Sequence, residues 1–217
     1  ATVSPVGIKD EVFGFITINE WIKIHKKDWP RILLCSFLGM VINMLAFFKG
    51  LELSTPINSS VLITVVPILV FSFSVIILKE KVSLIKMLGI SAGFFGALIL
   101  ILYSPVSGYN APNIPLGNLL FVLNSSTYGL YLIFVKPLVE KYNIITLFRW
   151  LFLFGFIMNF PITVQEFYSV DWVNLPLKQA VLPMIYVVVG TTFFTYLLNA
   201  YALSTLKAST VSSFVYF

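Results

Sequence analysis

The sequence is poor in charge: Asp, Glu, Lys and Arg make up 11% of its 217 residues, against 59% hydrophobic. That composition excludes a water-soluble globular fold. It has one cysteine, Cys35, which lies inside an apolar run, so no internal disulfide forms and the redox compartment cannot be read from it. It has one histidine, His25, in a basic connector. Without a cluster of His, Cys and carboxylates there is no metal site to expect. No Ser/His/Asp or Cys/His set assembles around His25 either, so an enzyme is not expected. The formal net charge is +5, but no basic face alternates with aromatics, which argues against a nucleic-acid partner. No cofactor is expected.

What the chain has in abundance is apolar length. Its mean hydropathy is +0.95, and its apolar runs repeatedly reach the ~20 residues that cross ~30 Å of hydrocarbon. The runs fall at about Arg31 to Phe48, Val61 to Leu78, Leu84 to Tyr103, Leu116 to Val135, Ile144 to Thr163 and Val181 to Leu203. A segment from Ala208 starts a seventh. Asp28-Trp29-Pro30 reads as the start signal of the first. Pro67 inside the second predicts a kink or hinge. Residues 1–29 carry scattered charges, and Val12 to Ile18 is too short to span. The sequence opens without methionine and stops inside an apolar segment, so both ends are expected to be truncated.

Orientation follows from the lysines and arginines. Eleven lie at alternate connectors (23–31, 79–86, 136–149 and 207), whereas the opposite connectors hold only Lys49 and Lys178. The positive-inside rule puts the first set in the cytoplasm. The first span therefore runs outward.

An internal repeat adds a second constraint. Leu53-Ser54-Thr55 matches Leu203-Ser204-Thr205 at an offset of 150 residues, each between two apolar helices and each followed by small polar residues. Gly39 and Gly190 stand upstream, one residue out of step. By the lysine distribution the first copy ends on the outside and the second on the inside. The same unit inserted in opposite senses is the pattern of an inverted-topology repeat, as in secondary transporters.

Residues 50–101 also resemble the drug/metabolite transporter superfamily, specifically its EamA-type repeat. The resemblance rests on the small-residue helix end, the Ser-rich start at Asn58-Ser59-Ser60, Pro67, the Lys79-Glu80 hinge and the glycine-studded helix with Gly89, Gly93 and Gly96. Arg149 and the stretch from Asn199 to Thr210 echo it in the second half. It implies an all-α polytopic membrane protein of ten helices in two inverted five-helix repeats, present here as about six full spans and part of a seventh. On that reading 1–29 is an unassigned polar segment, 30–103 holds helices three to five of the first repeat, 104–115 is an external loop, and 116–217 is the truncated second repeat. The implied activity is export or exchange of small metabolites, such as amino acids, by alternating access in a bacterial inner membrane. The alternative is a non-transporting membrane scaffold or receptor. Partners are a small-molecule substrate and membrane lipids.

Polar groups at the bilayer midplane are costly unless they face protein, water or substrate. Asn124, Tyr128 and Tyr131 fall at i, i+4 and i+7 on one helix face, with Ser125 beside it. Thr191, Thr195 and Asn199 predict a second face, flanked by Tyr196. Asn43 adds a polar group on the first span. These nine are the candidate substrate contacts, and the competing role for each is a hydrogen bond to a neighbouring helix or to its own preceding turn. Pro67 is a candidate hinge. Lys49 and Glu52, at i, i+3 near the outer interface, are a candidate gate, or a pair reaching for headgroups. Gly89 and Gly93 form a GxxxG pattern that predicts close helix packing.

Overall fold

The computed structural model describes residues 24–79, the helical positions 84, 85, 88, 89, 91, 92, 95, 96 and 99, and residues 111–213. No strand occurs among them. Among the described residues five helices are long and apolar enough to cross a membrane: α1 (Lys26–Leu53), α2 (Pro56–Leu78), α3 (Ile114–Val139), α4 (Ile144–Ser169) and α5 (Leu177–Thr205). A short α6 (Ala208–Ser213) follows. Each matches an apolar run and overshoots it, because hydropathy marks only what lies in hydrocarbon while the backbone ladder continues into the interface. Helix α1 thus starts inside the segment 1–29 that the sequence leaves without a span. The third run and the loop from Ser104 lie largely outside the described residues.

Polar caps and prolines mark the starts. Thr55 Oγ1 accepts from the Asn58 amide at 3.1 Å, with Pro56 opening α2. Asn113 Oδ1 accepts from Leu116 N at 3.2 Å, and Asn143 Oδ1 from Ile145 N at 2.9 Å, so amides that begin a helix are satisfied locally. Lys79 closes α2 at φ 54°, in the left-handed region common at helix ends. Its neighbour Glu80 lies outside the described residues.

Three spans are interrupted. α1 widens into i→i+5 bonding over Phe37–Ile42, and α5 does so over Leu177–Val181 and Tyr186–Phe194. α2 breaks at Thr64 and Val65, and Pro67 sits in the first turn of the helix that resumes at Val66. The proline lacks an amide donor, so it costs no hydrogen bond there, where the first amides of a helix have no intrahelical partner. The buried Ser125 hydroxyl of α3 lies 3.4 Å from the Leu62 carbonyl at this break.

α3 is the hub, touching α1, α2, α4, α5 and α6. With no hydrophobic drive between helices in lipid, close packing decides which pair meets. A Cβ on Gly117 would stand 2.5 Å from Ser54 Cβ and one on Gly50 2.9 Å from the Phe121 ring, so α1 and α3 approach only because both residues are glycine. Among the described residues nothing lies within 4 Å of where a Cβ on Gly89 or Gly96 would stand. Gly93 lies outside the described residues. The core runs along α3 through Phe121, Tyr131, Leu132, Val135 and Leu138. In α4 the buried residues are Leu147, Phe148, Leu151 and Gly155, all before Pro161; beyond them residues are exposed or half-buried.

Candidate functional site

The widened segment of α1 lies mid-span. The Asn43 amide reaches back to the Leu38 carbonyl, after which the ladder returns to i→i+4. Such a return leaves carbonyl acceptors poorly served by the backbone, which is costly in hydrocarbon. Side chains from three other helices fill the need. Tyr196 of α5 donates its hydroxyl to the Gly39 carbonyl at 2.6 Å, Asn159 of α4 donates to Met40 O at 2.9 Å, and Asn124 of α3 donates to Asn43 O at 2.8 Å. Asn43 returns the last bond, donating to Asn124 O at 3.0 Å. α1 is thereby fixed to α3, α4 and α5 at one depth.

Against this segment stands a cluster of three tyrosines. Tyr128, Tyr131 and Tyr196 have ring centroids 5.9, 6.1 and 5.6 Å apart, one pair stacked and two edge-on. These are favourable aromatic geometries. A Cβ on Gly39 would lie 2.6 Å from the Tyr131 ring, so only glycine lets that ring settle on α1. Asn199 donates to the Tyr128 hydroxyl at 2.8 Å. The Tyr131 hydroxyl has no hydrogen-bond partner among the described residues. The Tyr128 hydroxyl accepts from Asn199 and retains its own hydrogen for donation.

The structure thus brings Asn43, Asn124, Tyr128, Tyr131, Tyr196 and Asn199 together. It does not bring in Thr191 and Thr195, which are exposed and bond back to Val187 O at 2.9 Å and Gly190 O at 3.4 Å. Their expected shared face with Asn199 assumes regular helical spacing. The i→i+5 bonding of Tyr186–Phe194 widens the turn, so residues four apart no longer stack. Ser125 is buried at the α2 break, its hydroxyl 3.4 Å from the Leu62 carbonyl. Lys49 and Glu52 form an exposed pair at 2.8 Å on the outer end of α1.

Two residues at this depth and beside it carry no signal of their own in the sequence. Asn159 is a single amide in a phenylalanine-rich run; among the described residues its buried Oδ1 has no partner, nor has the Ser36 hydroxyl one turn before Met40. Lys136 counts toward topology in the sequence, yet in the fold its ammonium donates to Leu203 O at 3.1 Å and Leu206 O at 2.9 Å and pairs with Glu140 at 2.6 Å. Nearby, Asp28 is paired with both Lys141 and the Tyr142 hydroxyl, which also accepts from His25 N at 3.1 Å. The carboxylate beside it holds the Lys141 ammonium above its ordinary pKa.

Known proteins resemble this chain in sequence. The chain matches the model of the EamA-like transporter family twice, over residues 12–102 and 115–217. It is 26% identical over 149 residues to the uncharacterized transporter YetK of Bacillus subtilis (strain 168), covering 69% of this chain and 45% of that protein. It is 27% identical over 193 residues to an uncharacterized transporter of Archaeoglobus fulgidus, covering 89% and 66% of the two chains. A second Archaeoglobus protein with the same description is 20% identical over 189 residues, covering 87% and 64%. The chain spans about half to two thirds of the length of these curated relatives. No solved structure matches it significantly.

Proposed function

The chain belongs to the EamA-like transporter family and is an integral, multi-pass, all-α membrane protein with two copies of the family's repeat, and from that premise we propose that the tyrosine cluster between α1, α3 and α5 is the substrate site of a carrier for small metabolites. The carrier exchanges or exports its substrate by alternating access between repeats inserted in opposite senses, in a bacterial inner membrane, without a catalytic step. The observation that carries this reading is the convergence of Tyr128, Tyr131, Tyr196 and Asn199 at mid-span, with hydroxyls on Tyr128 and Tyr131 still able to donate. Such groups recognise a substrate through aromatic contact and hydrogen bonds. Amino acids and related ring-bearing metabolites are the class to test.

Support for the opposed repeats comes from the widened helices. Gly39 and Gly190, one residue out of step with the repeat offset, both lie inside i→i+5 segments, of α1 and α5. By the lysine distribution α1 runs outward and α5 inward.

The test is uptake of radiolabelled amino acids and related metabolites into proteoliposomes holding the full-length parent protein. Saturable uptake is expected. Tyr131→Phe and Asn199→Ala should each raise KM about tenfold, the worth of one or two hydrogen bonds. If no compound is taken up and none protects the protein against heat, the carrier reading fails.

A further inference from the structure

The inner ends of the helices are fastened quite differently from the outer ones. At the inner end of α5 the last carbonyls of the helix have no backbone donor ahead of them. Lys136 fills that gap from the hub helix. Its three ammonium donors meet three acceptors, the Leu203 and Leu206 carbonyls and the Glu140 carboxylate. A cation at a helix C-terminus is favoured by the helix dipole, and these are charge-assisted bonds. The side chain is 22% exposed, so it is drawn across to α5 instead of reaching for headgroups.

The burial of α5 is equally lopsided. Tyr196, Ala200 and Leu203, in its inner half, are buried. From Leu177 to Phe194 no residue is. α5 is therefore attached to the described bundle at its inner end and at the tyrosine cluster. Tyr131 and Lys136 are five residues apart on α3, about 7–8 Å along the axis. The Lys136 clasp stands between the tyrosine cluster and the cytoplasm.

We propose that the Lys136–Glu140 clasp on the α5 carbonyls is the inner gate of the carrier: it closes the cytoplasmic path to the tyrosine cluster, and it opens when α5 swings from α3 to release or admit substrate on that side. Opening exchanges protein carbonyls for water and phosphate around the same ammonium, which the inner interface supplies. The proposal rests on the carrier reading for its purpose, but the gate is measured without transport.

The test uses the full-length parent protein in inside-out vesicles, with its own cysteines replaced and Ala200→Cys introduced below the tyrosine cluster. A membrane-impermeant maleimide reports access from the cytoplasmic face. Lys136→Met keeps the apolar stem and removes the three bonds, and should raise the initial labelling rate about tenfold, the scale of a lost charged hydrogen bond. Lys136→Arg should stay near the parent rate, and Glu140→Gln should raise it about threefold. If Lys136→Met gives no folded protein, Glu140→Gln decides, since Glu140 is half exposed and outside the core. Unchanged labelling in the folded variant overturns the gate. Changed labelling in a protein that transports nothing upholds the gate and removes the carrier reading instead.

Discussion

Two segments of the molecule share one local deformation and differ in everything around it. In α1 the widened turn is buried at Gly39, Met40 and Val41, and its carbonyls are taken by Tyr196, Asn159 and Asn124. In α5 the widened turn from Tyr186 to Phe194 has no buried residue, and Thr191 bonds to its own preceding turn. The deformation itself is thus a local property of an apolar, glycine-bearing helix. Its use as a joint between helices needs donors from neighbours, and the described neighbours supply them to α1 alone.

The largest effect is expected where the α1 segment touches the hub. Gly39→Ala places a methyl 2.6 Å from the Tyr131 ring, which is 2% exposed and packed between two other tyrosines. Neither side can yield cheaply. The variant should lose about 2–3 kcal/mol of stability, an overpacking cost, which corresponds to a fall in melting temperature of about 4–12 °C for a chain of this size. Thermal unfolding in detergent measures it; an unchanged midpoint would show that α1 and α3 are not in contact at this point.

Smaller losses are expected from the carbonyl partners. Tyr196→Phe strips the hydroxyl from Gly39 O, and Asn159→Leu strips the amide from Met40 O. Each should cost about 1 kcal/mol, since hydrogen bonds between membrane helices are worth less than an isolated polar group in hydrocarbon suggests. For the reciprocal pair, Asn43→Leu and Asn124→Leu should each cost about 1 kcal/mol and be close to additive in a double-mutant cycle, because each side chain donates to the other residue's backbone carbonyl, which a substitution there leaves in place. A coupling well above about 0.5 kcal/mol would mean that the two side chains act as one unit.

Much of this arrangement is legible in the sequence, and the rest is hidden for definite reasons. The spans can be read because lipid selects for apolar length. Asn124, Tyr128 and Tyr131 can be read as one face because α3 keeps regular spacing from Ile114 to Val139. Thr191 and Thr195 stand apart from that cluster because α5 does not. Asn159 repeats at no period, so nothing separates it from a bystander until Met40 O is placed beside it. Lys136 is visible as a charge that orients the chain, but its target is a pair of backbone carbonyls 67 and 70 residues away, and backbone atoms leave no mark in composition. The pairing of Gly39 with Gly190 is legible as a repeat; that one is covered and the other bare is a matter of tertiary contacts.

The smallest expected effect is the sharpest check on that last difference. Among the described residues a Cβ on Gly190 would meet only the Tyr186 ring of its own helix, at 3.4 Å, an ordinary contact. Gly190→Ala should therefore cost nothing in packing, and alanine restricts the unfolded chain, so a gain of up to about 0.5–1 kcal/mol is expected. Thr191→Val, whose hydroxyl serves only its own helix, should change stability by less than about 0.5 kcal/mol. Glycine to alanine is then destabilising in one widened turn and stabilising in the other, with the chemistry of the substitution held constant. If Gly190→Ala instead costs as much as Gly39→Ala, the α5 turn is packed as tightly as the α1 turn, and the swing of α5 that opens its inner clasp loses its structural basis.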